Sequence, residues 1–340
     1  MESVTDQRFD AAVSLLSGSL GGLLLSIPAG IKRQVQEVRI RAGYPVALSC
    51  GGDIYFLTRT GRLTCSPEGD LFQMDWEAVE ECFQLLCGFS VYSHEKEIRQ
   101  GFLSLRGGHR AGICGTAVVQ NGEIISLRDI SSICLRISRE YPGCSISLLQ
   151  RMKEAGMEGG LLLVGAPSSG KTTVLRDIAR QLSSGSVGAI RRVAVIDERG
   201  ELAGVYKGIP GNFLGPCCDV LDGYPKAQGI LQAVRSLAPD YILCDEIGSE
   251  EDTISLLQCL HAGVTVIASI HAGSPEEFLK RRQAELLMRE GAFQTVAFLK
   301  SRREPGTIAE LRKAGDLLAQ MDRNTPDDWG GGPGRLFGVA

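Results

Sequence analysis

An eight-residue segment near the middle of the chain, residues 165–172, restricts the possible folds more than any other feature of the sequence. It reads Gly-Ala-Pro-Ser-Ser-Gly-Lys-Thr and matches the pattern G-x-x-x-x-G-K-[ST], in which glycines turn main-chain N–H groups towards phosphate oxygens. An apolar segment at 161–164 precedes it, and a helical pattern follows it from Lys171 to Leu182. A loop between a buried strand and a helix N-terminus is the expected context of a phosphate site, so the sequence predicts an α/β domain.

The same segment predicts how a nucleotide is held. Lys171 is expected to place its charge on the β- and γ-phosphates, and Thr172 is expected to bind Mg²⁺ through its hydroxyl. Guanine recognition would require an N/T-K-x-D segment after a strand, and the sequence has none, so ATP is the predicted nucleotide. The predicted nucleotide-binding residues are Gly165, Ala166, Pro167, Ser168, Ser169, Gly170, Lys171, Thr172 and Thr173.

Two acidic residues follow the apolar segment 241–244. Asp245, at the strand end, is predicted to hold Mg²⁺ as a Walker B aspartate does. Glu246 is then placed to orient or deprotonate the attacking water, a role that distinguishes an ATP hydrolase from a protein that only binds nucleotide. The alternative is that both acids cap the following helix.

Polar residues also end two further predicted strands. Asp197 and Glu198 follow the strand at 193–196, and either could assist the metal or the water; a solvated turn is the alternative. His271 follows the strand at 264–269 and is predicted to sense the γ-phosphate, the alternative being a structural histidine. Ligands of doubly wound sheets bind at the carboxyl ends of the strands. The candidate catalytic residues are therefore Glu246, Lys171, His271, Asp197 and Glu198.

The two halves of the chain differ in their patterns. Strand and helix patterns alternate from residue 159 onward, whereas the N-terminal half has short β-like segments separated by turns and one helical pattern at 76–86. The first pattern predicts a doubly wound α/β domain, and the second predicts a smaller α+β domain with a largely antiparallel sheet. The predicted domains are residues 1–150, residues 151–310, and a largely flexible tail at 311–340, whose end is rich in Gly, Pro and Asp.

Composition and charge disfavour several classes of protein. The formal net charge is −4, so the chain gives no strong sign of nucleic-acid binding. Eleven scattered cysteines without a C-x-x-C pair indicate reduced thiols and a cytoplasmic protein. The apolar segment 15–28 contains serines and glycines and stops at a proline, which predicts a buried or interfacial helix and not a membrane span. Work at a membrane would therefore require recruitment by a partner.

Six arginines of the N-terminal half have two possible roles. They could form a basic sheet face, or some could reach a nucleotide phosphate at a domain or subunit boundary and stabilise transition-state charge, as an arginine finger does. The sequence alone does not choose among Arg39, Arg41, Arg106, Arg110, Arg128 and Arg136.

The order of these motifs resembles the secretion ATPases of type II and type IV systems: a Walker A loop, an acidic box at 197–198, a Walker B segment at 245–246 and a histidine box around His271. Within that superfamily the chain is most similar to the stage III sporulation protein AA family. The stretches that carry the resemblance are E-V-R-I-R-A-G at 37–43, G-G-H-R-A-G at 107–112, I-D-E-R-G-E at 196–201, D-V-L-D-G-Y-P-K-A at 219–227 and R-S-L-A-P-D at 235–240. Ser169 stands where many relatives have glycine, a departure that leaves the consensus intact.

The resemblance implies a RecA-like P-loop NTPase domain in a ring-forming, hexameric ATPase on the cytoplasmic face of a membrane. It implies that ATP hydrolysis powers a secretion-type channel between mother cell and forespore, with membrane proteins of the same operon as partners. It also implies that arginine fingers come from the N-terminal domain, with Arg106, Arg110 and Arg136 as the candidates.

Three other functions fit parts of the pattern. A RecA-like nucleic-acid-dependent ATPase would need a basic groove or an added RNA-binding module. A small-molecule kinase would need an arginine-rich lid, for which residues 280–282 are the only nearby candidate. A nucleotide-gated scaffold with little hydrolysis would not need an intact Asp245 and Glu246.

Overall fold

The computed structural model describes residues 4–157, 159–301 and 303–324. The chain divides into two compact units. The N-terminal unit contains the described residues up to Tyr141 together with Arg199–Leu214, and the P-loop unit contains Pro142–Glu198 and the described residues from Gly215 onward. Among the described residues, no helix is long and apolar enough to cross a membrane.

The N-terminal unit combines one antiparallel sheet with several short helices, which is the predicted α+β architecture. Its strands are β1 (Val35–Arg41), β2 (Ala47–Cys50), β3 (Asp53–Leu57), β4 (Leu63–Thr64), β5 (Phe102–Leu105), β6 (His109–Gln120) and β7 (Glu123–Arg136). They lie in the order β4-β3-β2-β1-β7-β6-β5. Its helices are α1 (Val4–Val13), α2 (Gly18–Leu25), α3 (Ala29–Lys32), α4 (Trp76–Leu86) and α5 (Glu95–Arg99), with a 3₁₀ turn at Val91–His94.

The long hairpin of β6 and β7 follows from its turn residues. Asn121 and Gly122 have positive φ angles of 53° and 83°, which match the twist of the flanking strands in a two-residue hairpin turn. The sequence predicts separate strands at 124–127 and 133–137. They are one strand, β7, because its residues pair along β6 and, at its end, also with β1.

Helices cover this sheet with apolar side chains. Asp75 caps α4 by accepting a hydrogen bond from the main-chain N–H of Ala78, and the helix has the predicted span. α2 occupies part of the apolar segment 15–28 and buries Leu20 and Leu24 in the core. This segment therefore forms a helix with one buried face, and Leu25 on its other face is 41% exposed.

The division between the units differs from the predicted boundary at residue 150. The chain enters the P-loop unit at Pro142 because the next residues are bound to helix α7 (Lys171–Ser184). The main-chain N–H groups of Gly143 and Ser145 donate to the carboxylate of Asp177 over 2.9 and 2.8 Å. Although burial opposes its ionisation, hydrogen bonds from Ser145 and Gly143 hold the pKa of Asp177 below its usual range.

A second difference is that Arg199–Leu214 leaves the P-loop unit and joins the N-terminal unit. This excursion contains the short strands β10 (Val205–Tyr206) and β11 (Ile209–Pro210). It packs closely on main chain: a Cβ on Gly108 would lie 3.1 Å from Oδ1 of Asn212, and a Cβ on Gly211 would lie 2.3 Å from the main-chain nitrogen of Gly108. Gly211 is therefore required, and a side chain on Gly108 would be strained because its φ angle is 73°. No hydrophobic pattern in the sequence indicates that this segment joins the N-terminal unit.

His109, beside this packing, should make the N-terminal unit sensitive to acid. The residue is 1% exposed, and its Nδ1 accepts a hydrogen bond from the main-chain N–H of Ser138 over 3.1 Å. Burial, helped by the charges of Arg8 and Arg139, lowers the pKa of His109 from 6.5 to about 4. As the pH falls below about 6.5 the unfolded chain therefore binds the proton first, and stability is lost down to about pH 4. Between pH 7.5 and 4.5 the loss from this group should be about 2 to 3 kcal/mol.

Urea unfolding followed by the fluorescence of Trp76, in a Trp329→Phe background, would measure this loss in the N-terminal unit. His109→Gln should reduce the difference in unfolding free energy between pH 7.5 and 4.5, since glutamine does not titrate. His261→Gln, at an exposed histidine, should leave the difference as it is. Equal acid sensitivity of the His109→Gln variant and the parent would contradict the assignment.

The P-loop unit is the predicted doubly wound α/β domain. Its strands are β8 (Leu161–Gly165), β9 (Val193–Asp197), β12 (Cys218–Asp222), β13 (Tyr241–Cys244), β14 (Thr265–His271), β15 (Thr295–Leu299) and β16 (Ile308–Lys313). They form one sheet in the order β12-β9-β13-β14-β8-β15-β16, in which only the pairing of β15 with β16 is antiparallel. Its helices are α6 (Ile146–Glu154), α7, α8 (Lys226–Leu237), α9 (Glu250–His261), α10 (Pro275–Phe278), α11 (Arg282–Arg289) and α12 (Ala314–Asn324).

The prediction of a flexible tail from residue 311 is wrong for residues 311–324. β16 extends the sheet beside β15, and α12 buries Leu317 and Met321 in the core of the P-loop unit. These two residues stand four apart and therefore share one face of the helix, which is enough to fix it. The rest of the predicted tail, residues 325–340, lies outside the described residues.

Candidate nucleotide-binding site

The strand order places the predicted site at one edge of the sheet. β9, β13, β14 and β8 are consecutive neighbours, and all four run parallel. Their carboxyl ends therefore lie side by side, and each is followed or completed by residues that the sequence predicts to be functional. This is the edge at which doubly wound folds bind their ligands.

The phosphate-binding loop leaves β8 at Gly165 and enters α7 at Lys171. Gly170 has a φ angle of 93°, and a Cβ there would lie 2.4 Å from the main-chain nitrogen of Gly306, so only glycine fits. The N–H of Gly306 donates to the main-chain oxygen of Ser169 over 2.8 Å, which ties the loop to the segment after β15. The other predicted residues of the loop and first helical turn are Ala166, Pro167, Ser168 and Thr173.

The ammonium group of Lys171 lies at the centre of the site, in a residue that is 5% exposed. It donates to the main-chain oxygens of Gly165 and Ala166 over 2.8 and 3.0 Å, and to Nδ1 of His271 over 3.0 Å. Burial lowers the pKa of Lys171, and two nearby carboxylates oppose that shift. A buried cation beside a helix N-terminus is well placed to bind an anion.

Thr172 and Asp245, the two residues predicted to bind Mg²⁺, lie close together. Oγ1 of Thr172 donates to Oδ2 of Asp245 over 2.6 Å, and the buried hydroxyl of Ser269 donates to the other carboxylate oxygen. This pair of oxygen donors suits Mg²⁺, which takes one or two protein oxygens and keeps water and phosphate oxygens as its remaining ligands. The sequence reasoning missed Ser269, although a serine near the carboxyl end of a largely apolar strand is a signal for it.

Glu246 has an unusual main-chain conformation. Its φ angle of 50° lies in the left-handed region, which costs a non-glycine residue roughly 1 kcal/mol or more. Its Oε1 lies 3.3 Å from Nε2 of His271. Because a lysine ammonium can only donate, Nδ1 of His271 accepts from Lys171, and the neutral ring carries its proton on Nε2, towards Glu246. Lys171, His271 and Glu246 thus form one continuous series of contacts.

The acidic box lies at the neighbouring strand end. Ile196 pairs with Cys244, so Asp197 and Asp245 leave adjacent strands at the same edge. Asp197 is 3% exposed, whereas the side chain of Glu198 is 42% exposed. Oε2 of Glu198 lies 3.8 Å from Nζ of Lys226, a residue that the sequence reasoning did not predict to be in the site. A lysine at the first position of a helix opposes the helix dipole, and that was the available signal.

The three candidate arginine fingers all lie in the N-terminal unit. Arg110 and Arg136 are directly opposite each other on β6 and β7. The Arg110 guanidinium lies 3.6 Å from the centre of the Phe102 ring and 3.1 Å from Glu201. Arg136 is more exposed, with its Nε 3.8 Å from a carboxylate oxygen of Glu37, and Arg106 is exposed between β5 and β6. Their role as arginine fingers stays a prediction.

Comparison with known proteins assigns the chain to a family. A family model described as "Sporulation stage III, protein AA" matches residues 6–316. The chain belongs to the stage III sporulation protein AA family. A member of that family, stage III sporulation protein AA of Bacillus subtilis (strain 168), is 36% identical over 308 residues, which are 90% of this chain and 96% of the relative. The predicted family is confirmed.

Two solved structures with a similar fold are ATPases named DotB. The ATPase DotB of Yersinia pseudotuberculosis has a TM-score of 0.56 at 16% identity and covers 85% of this chain and 78% of its own. DotB of Legionella pneumophila has a TM-score of 0.52 at 18% identity and covers 78% of this chain and 72% of its own. At these identities the similarity shows the fold alone, and it confirms the predicted RecA-like P-loop NTPase domain with an α+β domain before it.

Proposed function

We propose that this member of the stage III sporulation protein AA family hydrolyses ATP at the carboxyl edge of the P-loop sheet. The observation that carries the proposal is the series of contacts from Lys171 through His271 to Glu246, beside the Thr172–Asp245 pair. A protein that only bound nucleotide would need the loop and the lysine. It would not need a carboxylate held in a strained conformation next to them.

Each residue of the site has a separate role in the proposed hydrolysis. Lys171 balances the charge of the β- and γ-phosphates, and the N–H groups of the loop cradle their oxygens. Mg²⁺, held by Thr172 and Asp245, would supply further charge neutralisation at the phosphate oxygens. Glu246 accepts a proton from the attacking water or orients it, a contribution that is typically about 10²- to 10⁴-fold in rate. His271 keeps the carboxylate in place and would link its position to the phosphate bound by Lys171.

We further propose that the protein works as an oligomeric motor. Membership of the sporulation family supports a role in a secretion-type channel between mother cell and forespore. The DotB-like fold supports a ring, hexameric by resemblance, at the cytoplasmic face of a membrane, where membrane proteins of the channel would be its partners. Arg106, Arg110 or Arg136 would then stabilise transition-state charge from a neighbouring domain or subunit.

Light scattering and phosphate release, measured on the same samples, test both parts of the proposal. With MgATP the mass should rise above that of the monomer, and the rate of phosphate release per chain should rise with it as the protein concentration increases. A strict monomer with a steady turnover would contradict the motor. No turnover at any concentration or oligomeric state would contradict the hydrolase.

A further inference from the structure

Lys226 is a buried cation in an unfavourable local position. It is the first residue of α8, where the helix dipole disfavours positive charge, and only 8% of it is exposed. A buried ammonium needs paired charges and hydrogen bonds if it is to remain charged. The groups that contact the ammonium of Lys226 therefore indicate its role.

The ammonium group of Lys226 contacts main chain and carboxylates of the catalytic edge. Its Nζ donates to the main-chain oxygen of Glu246 over 2.6 Å. It lies 3.5 Å from Oδ2 of Asp252 and 3.8 Å from Oε2 of Glu198. Asp252 is itself fixed in the capping box of α9, where it accepts hydrogen bonds from the main-chain N–H groups of Gly248 and Ser249. The two carboxylates therefore hold the lysine, and the lysine holds Glu246.

The main chain of Glu246 is held on both sides. Its N–H donates to Oγ of Ser269 over 3.0 Å, and its carbonyl oxygen accepts from Lys226. The next N–H, that of Ile247, donates to the main-chain oxygen of Ser269 over 2.8 Å. These bonds favour the left-handed conformation that Glu246 would otherwise avoid. The direction of its carboxylate depends on that conformation.

We propose that Lys226 is a positioning residue for Glu246, an inference that rests on the proposed ATP hydrolysis. By binding the carbonyl oxygen of Glu246, Lys226 keeps the carboxylate beside His271 and aimed at the attacking water. Glu198 then acts as a counter-ion of Lys226, which gives this residue of the acidic box a role other than metal binding. Lys226 contacts the main-chain oxygen of Glu246 and His271 contacts its carboxylate, so Lys226 acts on the side chain through the main chain.

Replacement of Lys226 by methionine tests the proposal, because a positioning residue should affect kcat and leave nucleotide affinity unchanged. Lys226→Met should lower kcat by about 10- to 100-fold, because a small displacement of a catalytic group has effects of that size. KM for MgATP and the affinity for a fluorescent ADP analogue should stay within about threefold of the parent values. Lys153→Met, at an exposed lysine, should change none of these quantities. An unchanged kcat, or a loss of affinity equal to the loss of kcat, would overturn the proposal.

Asp252→Asn provides a second variant that leaves Lys226 in place. Its kcat should fall by roughly 3- to 10-fold at unchanged KM, whereas Glu251→Gln, at an exposed acid of the same helical turn, should behave as the parent. If Lys226→Met does not fold, an unchanged kcat in Asp252→Asn overturns the proposal.

Amide hydrogen exchange separates this inference from the proposed hydrolysis. In the absence of nucleotide, the N–H groups of Glu246 and Ile247, which are bonded to Ser269, should exchange roughly tenfold faster in Lys226→Met or Asp252→Asn than in the parent, while the core strands remain protected. Unchanged exchange at these two residues would refute the positioning role even if the parent protein showed no turnover. Absence of turnover in the parent would instead refute the hydrolase alone.

Discussion

Replacing Glu246 with glutamine is expected to lower kcat for ATP hydrolysis by about 10²- to 10⁴-fold, the usual contribution of a general base. Glutamine keeps the length of the side chain and can still accept a hydrogen bond from Nε2 of His271. It cannot take a proton from water. Affinity for nucleotide should therefore remain close to that of the parent protein, since the phosphate contacts of Lys171 and the loop are untouched. Phosphate release and fluorescent-nucleotide binding measure the two quantities.

A matched control is available at the next helix. Glu250→Gln removes one negative charge at an exposed residue four positions away and should leave kcat as it is. If Glu246→Gln retained full turnover, the water would have to be activated by another group, and the series Lys171–His271–Glu246 would have no catalytic meaning. A loss of nucleotide affinity equal to the loss of kcat would assign Glu246 to ground-state binding instead.

The strands that carry the site were predictable because each is a short apolar segment that ends at, or is followed by, a polar residue or the phosphate-binding loop. β13 has the predicted span, and β8 and β9 extend one residue beyond theirs. In a parallel sheet buried on both faces, hydrophobicity alone marks such strands. The pattern Ser-x-x-Asp at 249–252 likewise forms a capping box, because such a box depends only on local hydrogen bonds.

The partners of the residues that complete the site were not predictable, because they depend on contacts between distant parts of the chain, although a local signal marks Ser269 and Lys226 themselves. Lys226 reaches a carbonyl oxygen 20 residues away, and Ser269 accepts from an N–H 23 residues away. Gly306 lies against the phosphate-binding loop although nothing in its local sequence suggests it. A single sequence does not show which strands are neighbours in the sheet. Hydrogen-bond partners from distant strands can therefore be identified only once the strand order is known.

The sequence also did not predict that Arg199–Leu214 belongs to the N-terminal unit, for the same reason. Its position is fixed by the close approach of glycines, such as Gly211 and Gly108, that belong to different parts of the chain. Turn-forming glycines are common in the N-terminal half, and most of them serve local turns. Only the structure distinguishes glycines that serve local turns from glycines, such as Gly211, at which two segments of main chain are in close contact.

Replacing Lys171 with methionine is expected to separate nucleotide binding from the stability of the fold. Affinity for MgATP should fall by about 100-fold or more, because a buried charge-assisted contact to phosphate is lost. The free energy of unfolding without nucleotide should change by less than about 1 kcal/mol or increase. Burial lowers the pKa of Lys171, which means that the folded protein on balance disfavours its ammonium form. Methionine removes that cost at similar volume.

Urea unfolding with and without nucleotide tests both halves of this expectation in one experiment. At a nucleotide concentration of about 100 times its dissociation constant, the parent should gain about 2.7 kcal/mol of stability, and the variant should gain less than about 1 kcal/mol at the same concentration. Lys280→Met, at an exposed lysine, should gain as much as the parent. If Lys171→Met were instead several kcal/mol less stable without nucleotide, the hydrogen bonds of Lys171 to Gly165 and Ala166 would outweigh its desolvation, and the lysine would be a structural element of the loop as well as its phosphate ligand.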